Sequence, residues 1–145
     1  MAKLGASAGW SGNYCEDLTA TKSLAPSDSG KVFFLNATTE FTTTLPSVAD
    51  AGAGWNCKFI VKGAPDGADY VVTEKTADDT NVIITNGINE LEVDTTNDGP
   101  SNTGHTTITF ADGVAIAGDW VELICDGTNY YATGQTKADG GITLA

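Results

Sequence analysis

Short alternations of apolar and polar residues, separated by Gly, Pro, Asn and Asp, recur along the whole chain. The clearest runs from Trp120 to Thr133. Trp120–Cys125 is built of strand formers, Asp126-Gly127 tolerates the positive φ of a tight turn, and the sequence after it resumes with Tyr130 and Tyr131, so the stretch predicts a β-hairpin. Val121, Leu123 and Cys125 share one face of its first strand. Trp120, Glu122 and Ile124 share the other, a half-polar face placed near solvent or a partner. Residues 55–62 form the clearest core stripe, with Trp55, Cys57, Phe59 and Val61 on one side and Asn56, Lys58, Ile60 and Lys62 on the other.

The same reading predicts strands over 31–37 and 40–45, joined by a hairpin loop at 36–39 and stopped by Pro46. Ser47 is placed to cap a short helical turn that Gly52 and Gly54 weaken. Further strands are predicted over 70–74, 82–85, 88–93, 106–110, 114–116 and 142–144, with Asn86-Gly87 ending one and beginning the next. No helical period of useful length interrupts them. The expected fold class is therefore all-β: a single-domain antiparallel β-sandwich or small barrel, jelly-roll-like, with strand order undetermined. Residues 1–17 lack either periodicity and carry Trp10 and Tyr14 among glycines and alanines. They are read as a flexible N-terminal arm that docks on a neighbour or on its own domain, and 18–145 as the β domain.

Length and composition fit this picture. A chain of 145 residues suits one domain, and such a chain buries about 68–70% of the surface its unfolded form exposes. The charge narrows the partners. Seven basic residues, all Lys, stand against 19 acidic ones for a net charge of −12. Phosphate contacts use Lys and Arg clusters and base reading favours Arg, so direct nucleic-acid binding is not expected. Acidity keeps copies soluble and apart, or seeks a basic partner. No apolar run approaches a membrane span and no signal-peptide core follows Met1, so no membrane association is expected and synthesis is placed in a cytoplasm. Cys15, Cys57 and Cys125 are odd in number and widely spaced, which predicts free and mostly buried thiols.

Candidate chemistry is sparse. His105 has no second histidine or cysteine at ligand spacing, and no GxSxG elbow presents a serine nucleophile. The carboxylates sit mainly in turn dipeptides such as Asp66-Gly67, Asp98-Gly99, Asp112-Gly113, Asp126-Gly127 and Asp139-Gly140, where Asp serves backbone geometry, although a carboxylate pair of glycosidase type is not excluded by sequence. Asp94, Asn97 and Asp98 make an oxygen-rich loop without the spacing or closing Glu of an EF-hand. The expectation is a non-enzymatic protein without cofactor or metal. Interaction is assigned to aromatic and apolar anchors: Trp10 and Tyr14 on the arm, and Trp120 and Ile124 on the half-polar hairpin face with Tyr130 or Tyr131 nearby.

Several stretches together resemble structural proteins of tailed bacteriophages. These are Asp28-Ser29-Gly30-Lys31-Val32-Phe33-Phe34-Leu35-Asn36, then Phe41-Thr42-Thr43-Thr44-Leu45-Pro46 and Gly54-Trp55-Asn56-Cys57-Lys58-Phe59-Ile60-Val61, then Gly118-Asp119-Trp120-Val121-Glu122-Leu123, Asp126-Gly127-Thr128-Asn129-Tyr130-Tyr131 and Gly134. Proteins of this kind include capsid decoration (cement) proteins and β-rich tail-fibre modules. The resemblance implies a non-catalytic virion protein, made in the host cytoplasm, that sits as a homotrimer on the outer capsid surface against the major capsid protein. The alternative it implies is a tail-fibre or receptor-binding module that recognises host glycans, with the loop at 95–105 and exposed aromatics as its contacts.

Overall fold

The computed structural model describes residues 14–92 and 104–145. Over them the chain is all-β, eleven strands in two sheets with a single α-helical turn. The strands are β1 (Cys15–Leu18), β2 (Lys22–Ser23), β3 (Lys31–Leu35), β4 (Phe41–Thr44), β5 (Asn56–Val61), β6 (Tyr70–Thr73), β7 (Ile83–Glu90), β8 (Thr107–Phe110), β9 (Trp120–Cys125), β10 (Tyr130–Thr136) and β11 (Ile142–Leu144). The first sheet has the order β1-β3-β5-β9-β10-β7 and the second β11-β8-β6-β4-β2.

The predicted hairpin is present. β9 and β10 pair antiparallel from Cys125 opposite Tyr130 to Trp120 opposite Gln135, and Gly127 turns between them at φ 94°. The expected turn after Pro46 is also present as α1 (Val48–Ala51), where the Ser47 hydroxyl accepts from the Asp50 N–H at 3.2 Å. The purely antiparallel arrangement expected from the sequence is not. β1 with β3, β3 with β5, β2 with β4, β4 with β6 and β7 with β10 run parallel. From β1 to β6 the chain crosses to the other sheet at every connection and returns one place further along. Residues 36–40 thus form an arch between sheets and not a hairpin loop. Neighbouring strands lie about 5 Å apart and stacked sheets about 10 Å apart, and a link of this length spans either gap.

A side chain fastens the arch. The Tyr70 ring points inward from β6, and its hydroxyl accepts from the Ala37 N–H at 3.2 Å. It also lies 2.7 Å from the Ala37 carbonyl and 2.9 Å from the Gly63 carbonyl, fastening the β3–β4 crossing to the β5–β6 crossing. Inward residues of both sheets form one core, with Phe33, Leu35, Phe59, Val61, Val121 and Leu123 from the first and Phe41, Tyr70, Val72, Ile108 and Phe110 from the second. Phe33 stacks on Phe59 with ring centroids 5.4 Å apart. Cys57 and Cys125 lie in this core as free thiols, and burial pushes both up in pKa, whereas Cys15 is exposed on β1.

Two further local expectations change. Asn86-Gly87 does not end a strand. It forms a bulge in β7, with Gly87 at φ 121° and the Thr85 hydroxyl accepting from the Gly87 N–H, so one strand continues where two were expected. Residues 114–116 are not a strand; the Asp119 carboxylate accepts from the Ile116 N–H at 3.0 Å and holds them in a turn. Opposite, at Gly134 on β10, a methyl group would lie 2.5 Å from the Trp120 carbonyl oxygen, so the close approach of β9 and β10 there requires glycine.

The side of the molecule bounded by the edge strands β1 and β2 is closed by charge. Glu16 shares the inward face of β1 and pairs with Lys22 and, at 3.4 Å, with Lys31; Asp28 pairs with Lys31 at 2.6 Å. Charges turned inward at an edge discourage further strand addition. The Lys22 hydrogen bond is the chief cause that lowers Glu16 below its ordinary 4.5. At Asp28, burial pushes the carboxyl up, but the Ala25 N–H and the Lys31 ammonium together outweigh it and hold the group below 3.8. A carboxylate lowered on folding stabilises the fold fully above its unfolded pKa and loses that contribution as pH falls through the lowered folded value. Acid titration monitored by circular dichroism should therefore show stability falling below about pH 4. The Glu16→Gln variant should show a shallower fall; an unchanged acid limb would remove Glu16 from this account.

Candidate interaction surface

The alternation that buries one side of β3, β5, β9 and β10 turns the other side of the first sheet outward. Cross-strand register arranges that outer face in rows. One row is Asp17, Phe34, Ile60, Trp120 and Gln135. The next is Cys15, Val32, Lys58, Glu122 and Thr133. A third holds Asn56, Ile124, Tyr131 and Ile84. Three of the residues singled out from sequence, Trp120, Ile124 and Tyr131, are brought together here. Ile124 is 50% exposed and Tyr131 46%, so two large apolar groups stand in water side by side. Phe34 and Ile60, with Asp17 and Lys62, line a shallow depression at one end of the face.

The charged groups of the face are matched. The Lys58 ammonium sits over the Trp120 ring, 4.1 Å from its centroid, and occupies the row position beside Glu122. Lys62 forms an ion pair with Asp17. Tyr14 is half-exposed and lines a hollow at the β1 end with Lys31, Val32, Lys58 and Glu122. The hydroxyl of Tyr131 is hydrogen-bonded to Asp126, which raises the tyrosine pKa.

Tyr130 does not belong to this surface. It points inward from β10, fully buried, its hydroxyl donating to the Pro46 carbonyl at 2.8 Å and its ring meeting Trp55 edge-on, and burial raises its pKa strongly. Of the paired tyrosines, the strand period assigns one to the core and one to the face. Trp10 and the oxygen-rich loop of Asp94, Asn97 and Asp98 lie outside the described residues, as does most of the loop at 95–105.

Sequence reasoning missed Val32 and Phe34 as members of the face. The signal was there: Val32-Phe33-Phe34-Leu35 is apolar without alternation, the mark of a strand covered on both sides. The outer face of the second sheet has a different chemistry. Thr42, Val71, Thr109 and Thr143 form one row and Thr44, Thr73 and Thr107 another, uncharged and hydroxyl-lined.

Among the described residues, no group of three or more His, Cys, Asp and Glu side chains is gathered to hold a metal, and no helix is long and apolar enough to cross a membrane. No protein-family model, characterised protein or solved structure matches the chain.

Proposed function

We propose that this chain is a virion structural protein of a tailed bacteriophage, a capsid decoration (cement) protein that binds as a trimer to the outer surface of the head, contacts the major capsid protein and stabilises the shell. The observation that carries the reading is the broad outer face of the first sheet, where Ile124 and Tyr131 stand side by side in solvent on the same face as the half-buried Trp120; it offers wide apolar contact. The sequence resemblance supplies the setting. In this reading the two sheets are the layers of a β-sandwich, and the leading residues with Trp10 form an arm that reaches the capsid. Many weak contacts repeated over one shell give avidity that a single copy lacks.

The test is direct. Purified protein mixed with expanded heads lacking it should co-sediment at close to one copy per major capsid subunit and raise the temperature at which the heads release DNA. Heads that stay bare at saturating protein would end the proposal. Deleting residues 1–13, which leaves β1 intact, should lower occupancy if the arm is an anchor. The exposed ring of Tyr131 beside Ile124 also suits stacking against a sugar, the contact a receptor-binding module would use; specific retention on a glycan array would favour that second reading.

A further inference from the structure

We infer that the outer face of the first sheet is the surface through which copies of this chain bind one another. The inference deepens the trimer reading and rests on the proposed decoration role for its setting, but its argument is electrostatic and belongs to the molecule alone. A partner of different sequence can answer a charged patch with the opposite charge. Where the same face of two copies meets, each presents charge of the same sign, so in a protein of net charge −12 such self-association favours a patch whose own charges cancel.

This face meets that condition. Lys58 and Lys62 offset Glu122 and Asp17. Both ammonium groups are already engaged within the face, Lys58 over Trp120 and Lys62 with Asp17, so neither calls for an acidic partner. Asp126 at the rim of the face is engaged by the Tyr131 hydroxyl, and the acidic excess lies instead in connections such as those holding Asp50, Asp66, Asp78 and Asp112. A basic partner would be drawn there. What the first sheet offers after its charges cancel is Phe34, Ile60 and Ile124, whose removal from water favours association. The hydroxyl-lined second sheet is also uncharged, but covering it would strip water from threonines without that apolar gain.

The face carries its own reporter. Cys15 projects outward in the row with Val32 and Lys58, while Cys57 and Cys125 are buried, so a thiol reagent acting on the folded chain reads Cys15. The full chain is followed by sedimentation velocity and light scattering across a concentration series, beside Ile124→Glu, Tyr131→Glu and, on the opposite sheet, Thr109→Glu. Both altered residues of the first sheet are about half-exposed, and unchanged circular dichroism verifies the fold of each variant. The expected result is an oligomeric wild type, association weakened more than about tenfold by either first-sheet glutamate, no change for Thr109→Glu, and Cys15 labelling that slows as the oligomer forms. A wild type that stays monomeric at the highest concentration, an oligomer indifferent to both first-sheet glutamates, or one lost only when residues 1–13 are deleted would each overturn the inference. Heads left bare by a protein that oligomerises as described would sink the decoration reading and leave this contact standing; heads decorated by a monomer would do the reverse.

Discussion

Replacing Tyr70 with alanine should bring the protein close to unfolding at room temperature, while Tyr70→Phe should leave it folded but measurably weaker. The ring is almost fully buried and packs against Phe41 at a centroid distance of 4.8 Å, so its removal leaves a cavity between the sheets. Truncating a buried aromatic to alanine costs about 3–5 kcal/mol, and most domains have only about 5–15 kcal/mol in hand. The hydroxyl has a separate role. Without it the Ala37 N–H and the carbonyls of Ala37 and Gly63 lose their shared partner at the two crossings. A buried polar group left unpaired costs about 1–3 kcal/mol, so Tyr70→Phe should lower Tm by roughly 5–10 °C. Urea denaturation of the three proteins separates ring from hydroxyl. If Tyr70→Phe melts with the wild type, the arches are held by backbone alone.

Asp119→Ala should cost on the order of 3–5 kcal/mol, an effect in the same range from a single surface-sized side chain. The Asp119 carboxylate is 4% exposed. It accepts from the Ile116 N–H at 3.0 Å, the Thr136 hydroxyl at 2.9 Å and the Lys137 N–H at 3.0 Å. It therefore ties the turn before β9 to the end of β10. Alanine strands the Ile116 and Lys137 N–H groups and leaves the Thr136 hydroxyl only the Ala138 carbonyl at 3.3 Å, whereas asparagine keeps the shape and one acceptor oxygen but turns N–H groups toward another donor. The expected order of stability is wild type, then Asp119→Asn, then Asp119→Ala. Hydrogen exchange should quicken at Ile116 and Lys137 before the core responds. Equal stability of all three would mean that water replaces the carboxylate without loss.

How far the sequence could be read follows from the range of the forces involved. The β9–β10 hairpin was legible because its two strands are joined by only four residues, 126–129, and alternate within a dozen positions. The inward stripe of β5 was legible for the same reason. Which strands lie side by side was not, since the groups that fasten the arch at 36–40, the Tyr70 hydroxyl among them, lie more than thirty positions away. The bulge at Asn86-Gly87 was mistaken for a break because a glycine at positive φ serves both purposes, and the pairing with β10 that distinguishes them is again distant in sequence. The interaction face was half visible. Trp120 and Ile124 stood out on an alternating strand, but Tyr130 and Tyr131 could be told apart only by knowing which phase of β10 faces the core. Phe34 and Val32 were hidden in an unbroken apolar run whose second side had no assigned cover.

The weaving of β1 to β6 between the sheets also sets when the molecule can assemble. Neither sheet can be completed from a contiguous length of chain, and β5 waits for β9, whose first residue comes nearly sixty positions after the last of β5. Pairing over such separations is entropically expensive to begin and slow to form. A ribosome-bound fragment ending before Trp120 lacks the centre of its first sheet, and the local β9–β10 hairpin is the natural seed onto which the earlier coils then settle. Productive assembly is thus deferred until β9 and β10 have been made, with the apolar β3 and β5 left in need of shelter until then.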